Sequence, residues 1–335
     1  MNTDKNILQD SHGRDHAYLR ISLIERCNLR CTYCMPENGV KLSPKSHLMT
    51  YEEIYEIAKT FVDHGVTKIR LTGGEPLIRK DIPVILEKLA TLPVELSITS
   101  NAVIIDRFID ILKTNGVNKI NVSLDSLDKE KFKHITRRNE FQKVYNNILL
   151  LVKEGFKVKV NVVLMKDFNE DEIIDFIHFT KDLPIVVRFI EFMPFDGNKW
   201  NISKMVSYAE VMQFVNTSFS ETQIERLQDA PNDTSKNYKI KDYKGSFAII
   251  SSVTNPFCDS CNRLRLTANG QLKNCLFSAT ESDLLTTLRE GKSIEPIIQK
   301  AVQAKLKIRG GMNTIEKLQE PKLHSKNRSM ITIGG

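Results

Sequence analysis

Between residues 19 and 191 the chain repeats one rhythm six times: a short run rich in valine and isoleucine, then a stretch with helical periodicity. The runs are LRISLI (19–24), TKIRLT (67–72), VELSIT (94–99), NKINVSL (118–124), VKVNVVL (158–164) and IVVRFIE (185–191), the composition expected of strands. In YEEIYEIAKTFVDHGV, Ile54, Ile57, Ala58, Phe61 and Val62 share one helical face. Thr50 and Glu53 have capping-box spacing there, and Gly65 reads as a stop. Further helices are predicted near 82–91, 104–115, 140–154 and 170–181. Strands that alternate with helices run parallel through right-handed crossovers. A closed eight-unit barrel needs two more units, and none is visible. After Pro194 the pattern breaks into polar loop, an SFAIISSV strand (246–253) and a mixed tail. The expected fold is α/β: a partial (β/α)6 TIM-like barrel over residues 1–195, with a C-terminal extension, 196–335, closing its open side.

The six cysteines form two triplets. Cys27, Cys31 and Cys34 (C-x3-C-x2-C) follow the first strand, where β-α barrels carry their chemistry. Cys258, Cys261 and Cys275 (C-x2-C-x13-C) lie in the extension. The first eighteen residues are polar and mixed in charge, and no long apolar run exists. A cytoplasmic protein without a membrane partner is therefore expected. A reducing compartment disfavours disulfides, and close C-x2-C spacing favours metal. Structural zinc takes four protein ligands; a distant fourth keeps zinc open for both triplets. The second also reads as a zinc-stabilised hairpin turning at Asn269 and Gly270. The other reading is an iron–sulfur cluster with one iron open to a small molecule.

Other motifs sit at strand ends. TGGEP (72–76) pairs glycines that admit close backbone approach with an acid, Glu75, able to accept from an ammonium group. By itself it is an ordinary turn. TSN (99–101) and SLDS (123–126) offer hydroxyls and an amide, or simply helix caps. Arg263 and Arg265, two apart on a strand, face one side and can grip one anion. The alternation in RFIEF puts Arg188, Ile190 and Phe192 on one face. A net charge of +7 fits either a lysine-rich surface or an anionic ligand. HITRR (134–138) is the densest basic patch, too short to favour nucleic acid as a partner.

C-x3-C-x2-C with Tyr33 before the last cysteine resembles the signature of the radical S-adenosylmethionine superfamily. That resemblance implies a [4Fe–4S] cluster on Cys27, Cys31 and Cys34, with S-adenosylmethionine chelating the fourth iron. One-electron reduction then releases a 5′-deoxyadenosyl radical. With RLTGGEP, NVSLDSLD, RFIEFMPF, CDSCNRLRLT, Cys275 and the final MITIGG, the whole chain is similar to the GTP 3′,8-cyclase family of molybdenum cofactor biosynthesis. The resemblance implies a second [4Fe–4S] cluster on Cys258, Cys261 and Cys275, its open iron binding guanine. Hydrogen abstraction at ribose C3′, attack on C8 and a final one-electron reduction with uptake of a proton would give 3′,8-cyclo-7,8-dihydro-GTP, handed to a separate cyclic pyranopterin monophosphate synthase.

Carried onto this sequence, the family places Cys27, Cys31, Cys34, Arg263 and Arg265 in catalysis. Tyr33, Gly74, Ser123 and Met193 are expected against S-adenosylmethionine. Arg20, Arg70, Thr99, Lys159, Arg263, Leu264 and Arg265 are expected against GTP. A low-potential electron donor is implied, a homodimer stays open, and Gly334 and Gly335 are implied to insert toward the site. TRRNEF (136–141) departs from the family's glycine-containing TGRGDF-like segment. Two other readings remain: a radical enzyme that modifies a peptide or RNA, and a zinc-bound nucleic-acid module without catalysis.

Overall fold

The computed structural model describes residues 6–36, 39–324 and 327–334. Each expected run becomes a strand within two residues or so of its predicted ends: β1 (Tyr18–Ser22), β2 (Lys68–Thr72), β3 (Glu95–Ser100), β4 (Lys119–Ser123), β5 (Lys157–Leu164) and β6 (Val186–Glu191). They run parallel and in sequence order. Helices α1 (Tyr51–Asp63), α2 (Ile82–Leu89), α3 (Ile109–Thr114), α4 (Lys129–Thr136), α5 (Phe141–Lys153) and α6 (Ile173–His178) cover one face.

The start of α1 forms as its sequence predicts. Thr50 Oγ1 accepts from the Glu53 N–H at 3.2 Å, and the Glu53 carboxylate accepts from the Thr50 N–H at 2.7 Å. Gly65, at φ +107°, ends the connection. Helix α4 is absent from the predicted set. KEKFKHIT buries only Phe132, Ile135 and Thr136, too few apolar positions to register as a periodic face.

The C-terminal extension lengthens the sheet at both edges. Strand β9 (Ser246–Ile250) lies parallel to β6 and is followed outward by β8 (Lys236–Ile240) and β7 (Ile224–Arg226). At the other edge β10 (Arg263–Leu266) lies parallel to β1, then β11 (Gln271–Lys273) and β12 (Ser282–Asp283). Among the described residues these strands make one twelve-stranded sheet with β12 and β7 as its edges, so the barrel is partial and its sheet does not close. A cut at residue 195 divides the sequence but not this sheet. The β10–β11 hairpin turns at Asn269 and Gly270, with Gly270 at φ +72°, as the sequence suggested.

Alternation along each strand separates core from site. Leu19, Ile21, Ile69, Leu71, Ile120 and Val122 are buried beneath the helices, the hydrophobic burial that holds the layers together. Their neighbours in sequence, Arg20, Arg70 and Asn121, occupy the opposite face. No described helix is long and apolar enough to cross a membrane.

Candidate active site

Register brings the polar face together. Tyr18 and Arg20 lie opposite Arg263 and Arg265 on one side, and opposite Lys68 and Arg70 on the other. Arg70 in turn lies opposite Ser97. Thr99, Asn121 and Lys159 form a second row, and Ser123, Asn161 and Arg188 a third. Residues opposite one another share a face of the sheet, so Arg20, Arg70, Thr99, Lys159, Arg263 and Arg265 all line the same lumen. Leu264 faces the other way and is fully buried in the apolar core. Only its backbone is available to a ligand.

The lumen is crowded with positive charge. Arg20, Lys68 and Arg70 sit 5.5, 5.3 and 5.3 Å from the ring centre of Tyr18. Burial and neighbouring cations push the Arg70 guanidinium down to about 10 and Arg188 to about 9. Lys159 is pushed down to about 8, by burial first and Arg188 second. Arg265 is held well below the usual arginine range, mainly by burial and then by Arg20. Guanidinium groups nevertheless stay charged at neutral pH. Burial is the main cause and the crowding of cations adds to it, an arrangement that suits an anion. Tyr18 Oη, Arg20 Nε and Arg263 Nη2 are buried with no hydrogen-bond partner among the described residues. Arg188, whose Nε donates to Asn161 Oδ1 at 2.9 Å, belongs to this group as fully as the residues named from the sequence. Its face was legible in RFIEF; its role was not.

The first triplet lies beyond the C-terminal end of β1. Cys34 and Met35 donate backbone N–H groups to the Cys31 carbonyl at 3.1 and 2.9 Å, turning the loop back on itself. The glycine pair after β2 packs directly on it: Gly74 N–H donates to Ile24 O at 2.7 Å and Glu75 N–H to Arg26 O at 2.8 Å. A Cβ at Gly74 would lie 2.1 Å from Arg26 O. Gly74→Ala is therefore expected to displace the cysteine loop, seen as loss of iron from the first triplet with the second triplet's iron retained.

Glu75 also has a structural part. Its carboxylate is buried and accepts from Ser100 Oγ at 2.8 Å, Asn101 N–H at 2.7 Å and Leu77 N–H at 3.1 Å. It fastens the β2 loop to the β3 loop with three of its acceptor sites and keeps one on Oε2. Burial raises it to about 7 despite those bonds. Asn101, fixed this way, donates to Cys27 Sγ at 3.5 Å and Leu29 N–H donates at 3.4 Å. Tyr33 donates its hydroxyl to Asp125 Oδ2 at 2.8 Å, while Asp125 Oδ1 accepts from Val163 N–H at 2.9 Å. Ser123 ends β4 on the lumen side, and half-buried Met193 packs against the small apolar cluster of Met205, Val253, Phe277, Met312 and Leu318, as Cys275 does.

Burial pushes the thiols of Cys27 to about 11 and of Cys31 and Cys34 higher, with nearby carboxylates and thiols adding to it. A bound cation reverses this logic and deprotonates its ligands.

The second triplet sits at the other end of the lumen. Cys258 and Cys261 precede β10, which runs parallel to β1, and Cys275 follows the antiparallel β11. Two side chains distant in sequence hold it. Arg14 Nη1 donates to the carbonyls of Cys258 at 2.7 Å and Lys307 at 2.9 Å. Lys305 donates to Cys261 Sγ at 3.6 Å and to Arg263 O at 2.8 Å. Burial alone would raise the Cys261 thiol, but Lys305 and Arg263 outweigh it and bring it down to about 6. No spacing rule announces Arg14 or Lys305, because their partners are remote in the chain.

Gly334, at φ +75°, closes the lumen from the tail: Arg265 Nη1 donates to its carbonyl, and a Cβ there would lie 2.2 Å from Thr72 Oγ1. Gly335 lies outside the described residues.

Residues 21–180 match the radical SAM superfamily, and residues 185–311 match the family described as Molybdenum Cofactor Synthesis C. The mitochondrial GTP 3′,8-cyclase of Arabidopsis thaliana is 47% identical over 100% of this chain and 85% of its own length. The GTP 3′,8-cyclase of Listeria monocytogenes is 41% identical over 89% of this chain and 91% of its own. The chain belongs to the GTP 3′,8-cyclase family. It spans about half the length, 54%, of the Drosophila melanogaster molybdenum cofactor biosynthesis protein 1, to which it is 47% identical over 90% of this chain. Streptococcus suis SuiB bound to S-adenosylmethionine shares the fold, with a TM-score of 0.61 at 17% identity over 92% of this chain and 73% of that one.

As a GTP 3′,8-cyclase family member the chain is an enzyme that uses S-adenosylmethionine and iron–sulfur clusters, and the donor sets fit them. The thiols of each triplet sense one another's charge. Among the described residues, however, no three His, Cys, Asp or Glu side chains converge on a single ion. Three thiols in each set are one short of the four protein ligands of a structural zinc and match a cluster with one iron left open.

Proposed function

We propose that this chain converts GTP to (8S)-3′,8-cyclo-7,8-dihydroguanosine 5′-triphosphate, the first step of molybdenum cofactor biosynthesis. The observation that carries the reading is the set of crowded cations on the lumen face of the sheet, between one cysteine triplet and the other. A triphosphate supplies the negative charge that Arg20, Arg70, Lys159 and Arg188 lack. Arg263 and Arg265, beside the second triplet, would orient the nucleotide with its base toward the cluster that Cys258, Cys261 and Cys275 would hold. Its ribose then points toward the first triplet. Tyr33, Gly74, Ser123 and Met193 line the place for S-adenosylmethionine, and Thr99 reaches the lumen between the two ligands. When bound, the first cluster and S-adenosylmethionine supply the carbon radical that starts the reaction. The protein's own part is to fix the ribose beside that radical and to keep water out.

In the same reading a low-potential protein supplies the electron, and the product passes to a cyclic pyranopterin monophosphate synthase. Six free cysteines among the described residues suit a reducing compartment such as the cytoplasm. Action on a peptide or RNA is the other reading; a compact group of buried cations suited to a small polyanion speaks against it.

Anaerobic incubation with S-adenosylmethionine, a strong reductant and GTP tests the proposal. Equimolar 5′-deoxyadenosine and cyclised nucleotide are expected. Formation of 5′-deoxyadenosine without a GTP-derived product would refute the substrate and leave the radical chemistry standing.

Lys159 gives the site a pH signature. Its folded value of about 8 lies below the ordinary 10.5, so between those limits the ligand-free fold holds fewer protons than the unfolded chain. The charged lysine therefore costs stability at lower pH, and that cost fades as pH rises through the window. Phosphate at the lumen restores the charged form. GTP binding slightly above pH 8 is thus expected to take up a proton, read by calorimetry in buffers of different ionisation heat. Buffer-independent heats would remove Lys159 from the phosphate site.

A further inference from the structure

We propose that the basic face behind the first cysteine loop, made by Arg30, Lys133, Arg137 and Arg138, docks a small acidic electron-transfer protein that reduces the cluster held by Cys27, Cys31 and Cys34. The proposal rests on the reading that this triplet holds a redox cluster. One electron passes: the donor is oxidised by one, the cluster is reduced by one, and no proton or bond moves.

The face is built against the loop itself. Arg30 lies between Cys27 and Cys31 and is exposed, although the loop around it is partly buried. Its N–H donates to Thr136 O at 3.0 Å, and the N–H of Thr32, on the far side of Cys31, donates to Ile135 O at 2.9 Å. The last turn of α4 is thereby fixed to the outer side of the cysteine loop by two backbone bonds. Thr136 Oγ1 stiffens the corner, donating to Phe132 O at 2.7 Å and accepting from Arg138 N–H at 3.3 Å.

Arg137 caps α4 with φ +54°. A side chain with a Cβ holds this left-handed conformation at a cost that glycine avoids, so an arginine here works against the backbone. Strain of this kind is a reason to ask what the residue does. Arg137 and Arg138 are exposed, and among the described residues the Arg138 guanidinium hydrogen-bonds only the neighbouring Arg137 carbonyl, at 2.9 Å. None of Arg30, Arg137 and Arg138 has an ion-pair partner among the described residues. Lys133, one turn earlier, meets Glu130 only at 3.9 Å. Cations in a last helical turn offset the helix dipole, which accounts for Lys133. It does not account for Arg30 and Arg138, which lie outside the helix.

Position selects the partner's chemistry. The lumen side of the cysteine loop faces the cofactor and substrate, so an electron has to enter from the outer side. Unpaired positive charge on that side steers an acidic protein to within one loop's thickness of the thiolates and repels a basic one. This also gives a role to the stretch in which the sequence departs from its family.

The test uses the full chain carrying its clusters, with reduced flavodoxin, a small acidic flavoprotein, as the probe. Arg137→Gly removes charge and relieves the backbone, so it should fold at least as well as the parent; Arg137→Gly with Arg138→Gln removes both charges. Stopped-flow bleaching of cluster absorbance should slow by about tenfold or more in the double variant, the usual scale of electrostatic steering. Its remaining rate should lose most of the parent's salt dependence. Iron content and dithionite-driven 5′-deoxyadenosine formation should stay at parent levels. Equal flavodoxin rates in parent and double variant overturn the docking face, including the case in which the parent retains RNA there instead. Failure of dithionite to drive cleavage in the parent overturns the reading of the first triplet itself.

Discussion

Cys31→Ala is expected to abolish cleavage of S-adenosylmethionine, with 5′-deoxyadenosine falling below detection even with excess reductant. A cluster held by three thiolates has none to spare, because its fourth iron must stay open for the cofactor. The surrounding geometry lets this loss be told apart from misfolding. The contacts that shape the loop at Cys31 run through its backbone: its carbonyl accepts from Cys34 and Met35, and the neighbouring Thr32 N–H reaches Ile135 O. None of these needs the sulfur. The variant should keep the parent's secondary structure and chromatographic behaviour while binding about half of its iron, the share held by the second triplet. Persistent 5′-deoxyadenosine formation in the variant would show that the first triplet is not the site of cofactor cleavage. Loss of all iron would mean that the two triplets assemble as one unit.

What the sequence made legible follows from short-range physics. In β1 and β2 apolar and polar residues alternate, so the buried side of LRIS and KIRL and the lumen side carrying Arg20 and Arg70 could both be read from period two. The capping box of α1 and the turn at Gly270 are likewise local. Helix α4 escaped because its lysines leave no apolar stripe, and what fixes it is contact with the cysteine loop. The edges chosen by β9 and β10 could not be read at all, since pairing across the sheet is a non-local event. Arg14, Lys305 and the loop-fastening bonds of Glu75 were missed for the same reason. Their partners, Cys258, Cys261 and Asn101, approach only after the strands have assembled. The cysteines themselves were legible because their ligand chemistry is encoded in spacing, and the cations because they alternate with core residues.

Arg265→Ala is expected to weaken GTP binding by about 2–3 kcal/mol, roughly 30- to 150-fold, the scale for losing a charge-assisted contact in a buried site. Uncoupled cleavage of S-adenosylmethionine should continue, because Arg265 lies opposite Arg20 toward the second triplet and makes no contact with the first. The truncation has a second effect that must be separated from the first. Arg265 also holds the carbonyl of Gly334, so its loss frees the tail. Two comparisons divide the effects. Arg265→Gln keeps most of the side-chain volume and a donor for that carbonyl while removing the charge; it should bind GTP almost as weakly as the alanine variant. Gly334→Ala keeps the charge but places a Cβ 2.2 Å from Thr72 Oγ1, so it should undock the tail and reduce turnover with a smaller change in GTP affinity. The ligand-free stability of Arg265→Gln should not fall below the parent's, since it relieves repulsion from Arg20 and Arg263. If instead the glutamine variant binds GTP like the parent and only the tail variants lose turnover, Arg265 is a latch for the C-terminus and the nucleotide is held by the other lumen cations, Arg20, Arg70, Lys159, Arg188 and Arg263.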